Sequence, residues 1–145
     1  MKGALFCAQT KFKVGFFDVD SMDVVWHGNY VKFLEVGRCH LLDEIGYNYN
    51  NMRSDGFAFP VVELKLKFVK SLLFDETATI KSYLIEYENR LKIAYEIFNE
   101  KGELVNKAES TQMVVKISTG ETMFVCPENF TKKVLAAIEK SGGES

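Results

Sequence analysis

Proline is scarce in this chain of 145 residues: Pro60 and Pro127 are the only two. Cysteine is scarce too. Cys7, Cys39 and Cys126 are odd in number and widely spaced, which fits neither a disulfide framework nor a zinc site and points to a reducing compartment. Histidine occurs twice, as His27 and His40. No apolar run reaches the length that spans a bilayer. The start, with Leu5, Phe6, Cys7 and Ala8, is faintly signal-like, but Gln9, Thr10 and Lys11 break it and no cleavage region follows. A formal net charge of −2 leaves no basic footprint for nucleic acid. Glycine-rich phosphate loops, a serine nucleophile elbow, internal repeats and low-complexity segments are all missing. A cytoplasmic protein is expected.

What is present is a core. The hydrophobic fraction is 47% and the aromatic fraction 13%, enough for a folded globular chain. The length suits one domain, taken here as 1–145. Residues 11–17 read as a strand. Tyr30, Phe33, Leu34, Gly37, Leu41 and Ile45 then recur at helical spacing and predict one long helix starting near Gly28 or Asn29. Gly37 weakens that helix, and close approach to a neighbour is the plausible return. Gly46 is a natural stop, and 48–56 reads as loop.

After Pro60 the period becomes two. Leu64, Leu66 and Phe68 alternate with Glu63, Lys65 and Lys67, as in a half-buried strand. Segments 77–87 and 91–98 follow in the same style, then a turn at 100–103 and a further strand, open to a bulge, over 104–117. A turn at 118–121 leads to a short strand at 122–125. Pro127 and Glu128 open a last helix with Phe130, Val134, Leu135 and Ile138 on its apolar face. The end, 141–145, is expected to fray. The order is strand, long helix, antiparallel strands, short helix: an α+β chain.

Between the first strand and the helix lie three acids and a histidine: Asp18-Val19-Asp20, Asp23, then Val24-Val25-Trp26-His27-Gly28-Asn29-Tyr30. Loops carried on a rigid scaffold are where chemistry concentrates, although acids before a helix are often only capping or solvated groups. With Phe33-Leu34-Glu35 and Arg38, this stretch closely resembles the signature of hotdog-fold acyl-CoA thioesterases, nearest the 4-hydroxybenzoyl-CoA thioesterase and YbgC-like branch. The resemblance is dense from Phe12 to Arg38 and looser through Phe59-Pro60-Val61-Val62-Glu63. Many relatives carry glycine where Asp23 stands.

That resemblance implies a single-domain hotdog fold, an antiparallel sheet wrapped around one long helix, with a short C-terminal helix. It implies hydrolysis of acyl-CoA or acyl-carrier-protein thioesters without metal or organic cofactor, coenzyme A being part of the substrate. It implies a homodimer or homotetramer with active sites between subunits. Asp20 matches the catalytic acid, as base or nucleophile. The backbone N–H of His27 matches the oxyanion donor, and the His27 imidazole is a second catalytic candidate. Tyr30 matches the motif and joins the substrate-binding set, although its place on the apolar stripe favours packing with one satisfied hydroxyl. Asp18 and Asp23 read as structural or solvated, and Glu35 as a local partner of Arg38. Arg90 and Lys92, at the start of a strand, are candidates for the nucleotide phosphates, with Lys65, Lys67 and Lys70 as competitors. Rival readings are a hotdog hydratase or dehydratase, against which the sparse prolines weigh, and a non-catalytic acyl-thioester binding module.

Overall fold

A computed structural model describes residues 3–142; Met1, Lys2 and positions 143–145 of the expected frayed end lie outside the described residues. Five strands form one antiparallel sheet in the order β1-β4-β5-β6-β3: β1 (Phe6–Lys13), β3 (Val61–Phe68), β4 (Thr77–Glu86), β5 (Leu91–Phe98) and β6 (Leu104–Gln112). The expected strands at 77–87 and 91–98 match closely, the short one at 122–125 is shifted to Glu121–Met123, and the others differ more. The first strand begins earlier, at Phe6, and stops at Lys13; Phe16–Asp18 is a 3₁₀ turn instead. The expected strand over 104–117 is broken at Met113. Beyond it β7 (Val114–Lys116) leaves the main sheet and pairs with β2 (Phe57–Ala58) and β8 (Glu121–Met123).

Helix α1 (Tyr30–Ile45) lies across β1, β4 and the near side of β5. All six stripe residues are buried, and Leu42 joins them. Gly37 earns its place by contact: a Cβ there would come 2.6 Å from Ser82 Oγ and 2.7 Å from Ile80 Cδ1, closer than real atoms pack. Gly46 ends the helix at φ 90°, its N–H bonding the carbonyls of Leu42 and Asp43. Residues 48–56, expected as loop, contain a short helix, α2 (Tyr49–Ser54). Asn48 and Asn51 cap it reciprocally, side chain to backbone N–H in both directions.

The last helix, α3 (Glu128–Gly142), takes in 141 and 142 and buries Phe130 and Val134. Leu135, expected on the buried face, is 52% exposed. Phe130 packs against Tyr47 and Phe59. No helix of the described residues is long and apolar enough to cross a membrane.

Strand β3 departs most from the sequence reading. It was expected to be half-buried, yet Leu64 is 36% and Phe68 50% exposed. The cause is the placement of α1. Register puts Leu64, Leu66 and Phe68 on the same face as Ser110, Ala108 and Asn106, and so on the face that α1 covers farther along the sheet. On β6 that face is still buried at Asn106 and Ser110, but on β3, the edge strand, it is left open.

Candidate active site

Chain geometry folds the acid loop back on itself. The Asp20 N–H bonds the Val24 carbonyl at 2.9 Å, Asp23 N–H bonds the Asp20 carbonyl at 3.0 Å, and Val19 pairs with Val25. Asp23 sits at the bend with φ 61°, the left-handed region. This gives a physical reason for the glycine of many relatives, since aspartate tolerates this region better than most side chains. Val25 N–H reaches the Leu72 carbonyl at 2.9 Å, tying the loop to the connection between β3 and β4.

The two acids of Asp18-Val19-Asp20 have separate environments. Asp18 is buried. Its carboxylate accepts the Gly15 N–H at 2.7 Å and pairs with Lys32 on α1. Its carbonyl accepts Trp26 N–H at 3.1 Å and Asn29 Nδ2 at 2.8 Å. Asp18 is therefore the staple between the loop and the start of α1. Asp20 is exposed. Its Oδ1 accepts the Met22 N–H at 2.8 Å, while Oδ2 has no hydrogen bond among the described residues. One oxygen orients the carboxylate and the other is left for chemistry.

His27 opens a 3₁₀ turn, His27–Asn29, that runs straight into α1. Its backbone N–H has no acceptor among the described residues, as a first helical amide should not. The imidazole is exposed, with Trp26 at 5.0 Å and Phe68 edge-on at 6.3 Å between ring centroids. Tyr30 is buried, and its hydroxyl accepts the Leu72 N–H at 3.0 Å; burial pushes its titration up. It packs the core with one satisfied hydroxyl, and it also borders a cavity of about 240 Å³ with Val25, His27, Phe68, Val69 and Lys70.

His27 and Tyr30 thus border one cavity, and Asp20 lies on the loop whose Val25 forms part of its wall. Arg90 and Lys92 do not join them. They lie at the β4–β5 turn, by the register with Glu86 and Gln112, the opposite end from the acid loop after Lys13. Arg90 pairs with Glu86 at 3.1 Å and Lys92 with Glu109 at 3.3 Å. Lys70 is paired with Glu103. Glu35 pairs with Arg38 on α1, as the spacing implied.

A larger cavity, about 580 Å³, opens on the bare flank of α1 between Glu35, Arg38, Asn48, Phe59 and Gln112. The sequence reading missed it, and it missed Lys32 and Asn29 as the partners of Asp18. The Asn48–Asn51 spacing was a usable signal for the cavity's α2 wall. Gln112 carried none. Among the described residues no group of three or more His, Cys, Asp or Glu side chains could hold a metal ion.

The chain is similar to known thioesterases in sequence and in fold. Residues 14–138 match the family described as the Thioesterase-like superfamily. A Bacillus subtilis protein named "Putative acyl-CoA thioesterase YneP" is 32% identical over 74% of this chain and 79% of its own length. The solved structure of a DHNA-CoA thioesterase from Staphylococcus aureus superposes with a TM-score of 0.82 at 27% identity, covering 95% of this chain and 92% of that one. A hypothetical protein of Thermus thermophilus superposes at 0.81, also at 27% identity, over 90% of this chain and 98% of its own.

Proposed function

Since the chain belongs to the thioesterase-like superfamily, we propose that it hydrolyses the thioester of acyl-coenzyme A substrates to a free acid and a thiol. Asp20 carries the reading: an exposed carboxylate, oriented through Oδ1 by the Met22 amide, with Oδ2 unengaged among the described residues, on the loop that leads into a long helix. Oδ2 takes a proton from water as the water oxygen bonds to the thioester carbon, or itself forms that bond before water releases the acid. The developing oxyanion is met by the His27 N–H, with the dipole of the first helical turn behind it. The C–S bond then breaks, and the thiolate takes up a proton, from the Asp20 carboxyl that received one or from the exposed His27 imidazole, which solvent then reprotonates.

The site is completed by a second copy. Antiparallel pairing of two β3 edges about a two-fold axis sets the Phe68 end of one strand beside the Val61 end of the other. The acid loop of one copy then faces the large cavity and the Arg90–Lys92 turn of its mate, the two ends that a single chain keeps apart. That arrangement supports a homodimer at least, and a role for Arg90 and Lys92 in holding the coenzyme A phosphates.

The test is thiol release from a series of acyl-CoA substrates. Wild-type protein should release thiol, and Asp20→Asn should lose on the order of 10²–10⁴ in kcat with little change in substrate affinity. Undiminished turnover by Asp20→Asn would overturn the assignment.

A further inference from the structure

The main sheet has a second face, opposite α1, and it is open to solvent. Register places every lysine of the five strands on that face, seven in all, against Glu63, Glu86, Glu96 and Glu109. The face is therefore cationic on a chain whose formal net charge is −2. Lys67 and Lys107 stand directly opposite each other on β3 and β6, a like-charge pairing that antiparallel sheets disfavour. Neither they nor Lys11 make an ion pair among the described residues. At one rim of the face, just past Lys13, the chain puts out two phenylalanines. Phe17 is 93% exposed; the Phe16 ring meets Phe17 at 5.6 Å and Phe74, itself 44% exposed, at 6.0 Å. Lys13 pairs with Asp75, the neighbour of Phe74, at 2.9 Å. Exposed rings in a cluster mark a contact surface.

We infer that the lysine face and its phenylalanine rim dock this protein on a lipid bilayer rich in anionic headgroups. The lysines are drawn to the headgroup charge, and Phe17 enters the boundary between headgroups and acyl chains. A protein partner is the poorer occupant. Protein interfaces favour arginine and aromatic anchors at their centre and are depleted in lysine. Here every cation on the strands is lysine, a mobile point charge that suits a fluid layer better than fixed paired contacts. Nucleic acid fits less well too, because bases stack on rings set among the cations, whereas these rings stand at the rim. Asp20, Asp23 and Glu76 lie on the loops around the rim and oppose headgroup charge there. The attraction thus comes from the face and the apolar contact from the tip. Docking needs neither Asp20 nor turnover, so it stands apart from the thioesterase reading.

The experiment sediments the full chain with two kinds of vesicle, phosphatidylcholine alone and phosphatidylcholine mixed with phosphatidylglycerol. Wild-type protein should bind the mixed vesicles at least about 10-fold more tightly, and high salt should remove the difference. The triple variant Lys11→Gln, Lys67→Gln, Lys107→Gln should bind them about 10²-fold more weakly, while arginine at the same three positions should retain binding. Phe17→Ser, at a side chain that packs on almost nothing, should keep the wild-type midpoint in urea and weaken binding about 10-fold. Equal binding to the two kinds of vesicle, or none to either, overturns the inference, whether or not the triple variant folds. So does binding of duplex DNA or of an acidic protein as tightly as the mixed vesicles, which would give the face to another partner. None of these outcomes bears on thiol release by wild-type protein without vesicles, so the two readings fail separately.

Discussion

Asp18 and Asp20 stand two residues apart and differ in almost every physical respect. Asp18 is buried and tied to Gly15, Lys32 and, through its carbonyl, Trp26 and Asn29. Removing its carboxylate leaves the Gly15 amide unsatisfied, so Asp18→Ala should cost roughly 1–3 kcal/mol of stability, read as a lower midpoint in urea. Asp20→Asn should leave the midpoint close to wild type and take away turnover. A protein in which the two variants exchanged these effects would carry its base on Asp18. The bend at Asp23 makes a second prediction. At φ 61° a β-branched side chain is strained, and Asp23→Val should destabilise by about 1–2 kcal/mol, while Asp23→Gly stays near wild type in the same titration. At this scale the sequence was legible where a motif spoke. Asp20 and His27 were singled out as candidates through their order in the chain. Lys32 was not, because its bond to Asp18 spans 14 positions and exists only once the helix has docked.

Helix α1 was legible as an element because its stripe has only one way to be buried. The stripe also makes Gly37 a test. Alanine would gain about 1 kcal/mol of helix propensity. It would also drive a methyl into Ser82 and Ile80, a strain that typically costs 1–3 kcal/mol. Gly37→Ala should therefore unfold at lower temperature than wild type, and Ser82→Ala, which removes a buried hydroxyl with no partner among the described residues, should relieve part of the loss. Helix α2 was not legible, being short and mostly polar; it is held by its cap and by what surrounds it. One such hold lies just past its end. Asn129 of α3 donates to Asp55 at 3.0 Å and Tyr47 donates to it at 2.7 Å. These two bonds hold the Asp55 carboxyl below the usual range. The folded state thus favours the ionised form, so the contribution is present above the ordinary carboxylate pKa and disappears as pH falls through the lowered one. The midpoint difference between wild type and Asp55→Asn should be visible at neutral pH and close in acid. The break at Met113 was hidden for another reason: residues 104–117 are β-rich throughout, and only the second sheet decides where the chain changes partners.

The whole molecule is a sheet with one flank covered and one bare. Val61, Val62, Leu64 and Phe68 are between 36% and 58% exposed along the β3 edge. Leu64→Glu should turn a dimer into a monomer in sedimentation at micromolar concentration, and turnover should fall with it. A variant that sediments as a monomer at full activity would remove the composite site. The separation of Asp20 from Arg90 and Lys92 within one chain allows a stricter check. Asp20→Asn mixed with the Arg90→Ala, Lys92→Ala double variant should recover activity after subunit exchange, because one site per mixed dimer keeps both sets of groups. The fold was legible at this scale and the bare flank was not, since a pattern of alternating residues says which side is apolar and not what lies on it. An apolar edge is also an invitation to grow, for open edges can add strand after strand into a fibre. Here the opposite face of β3 carries Glu63, Lys65 and Lys67. In a parallel, in-register stack each lysine would meet its own copy. In an antiparallel pair centred on Leu64 or Lys65, Glu63 meets a lysine of the mate instead. The charge pattern of this strand thus favours an assembly that closes at two over one that propagates.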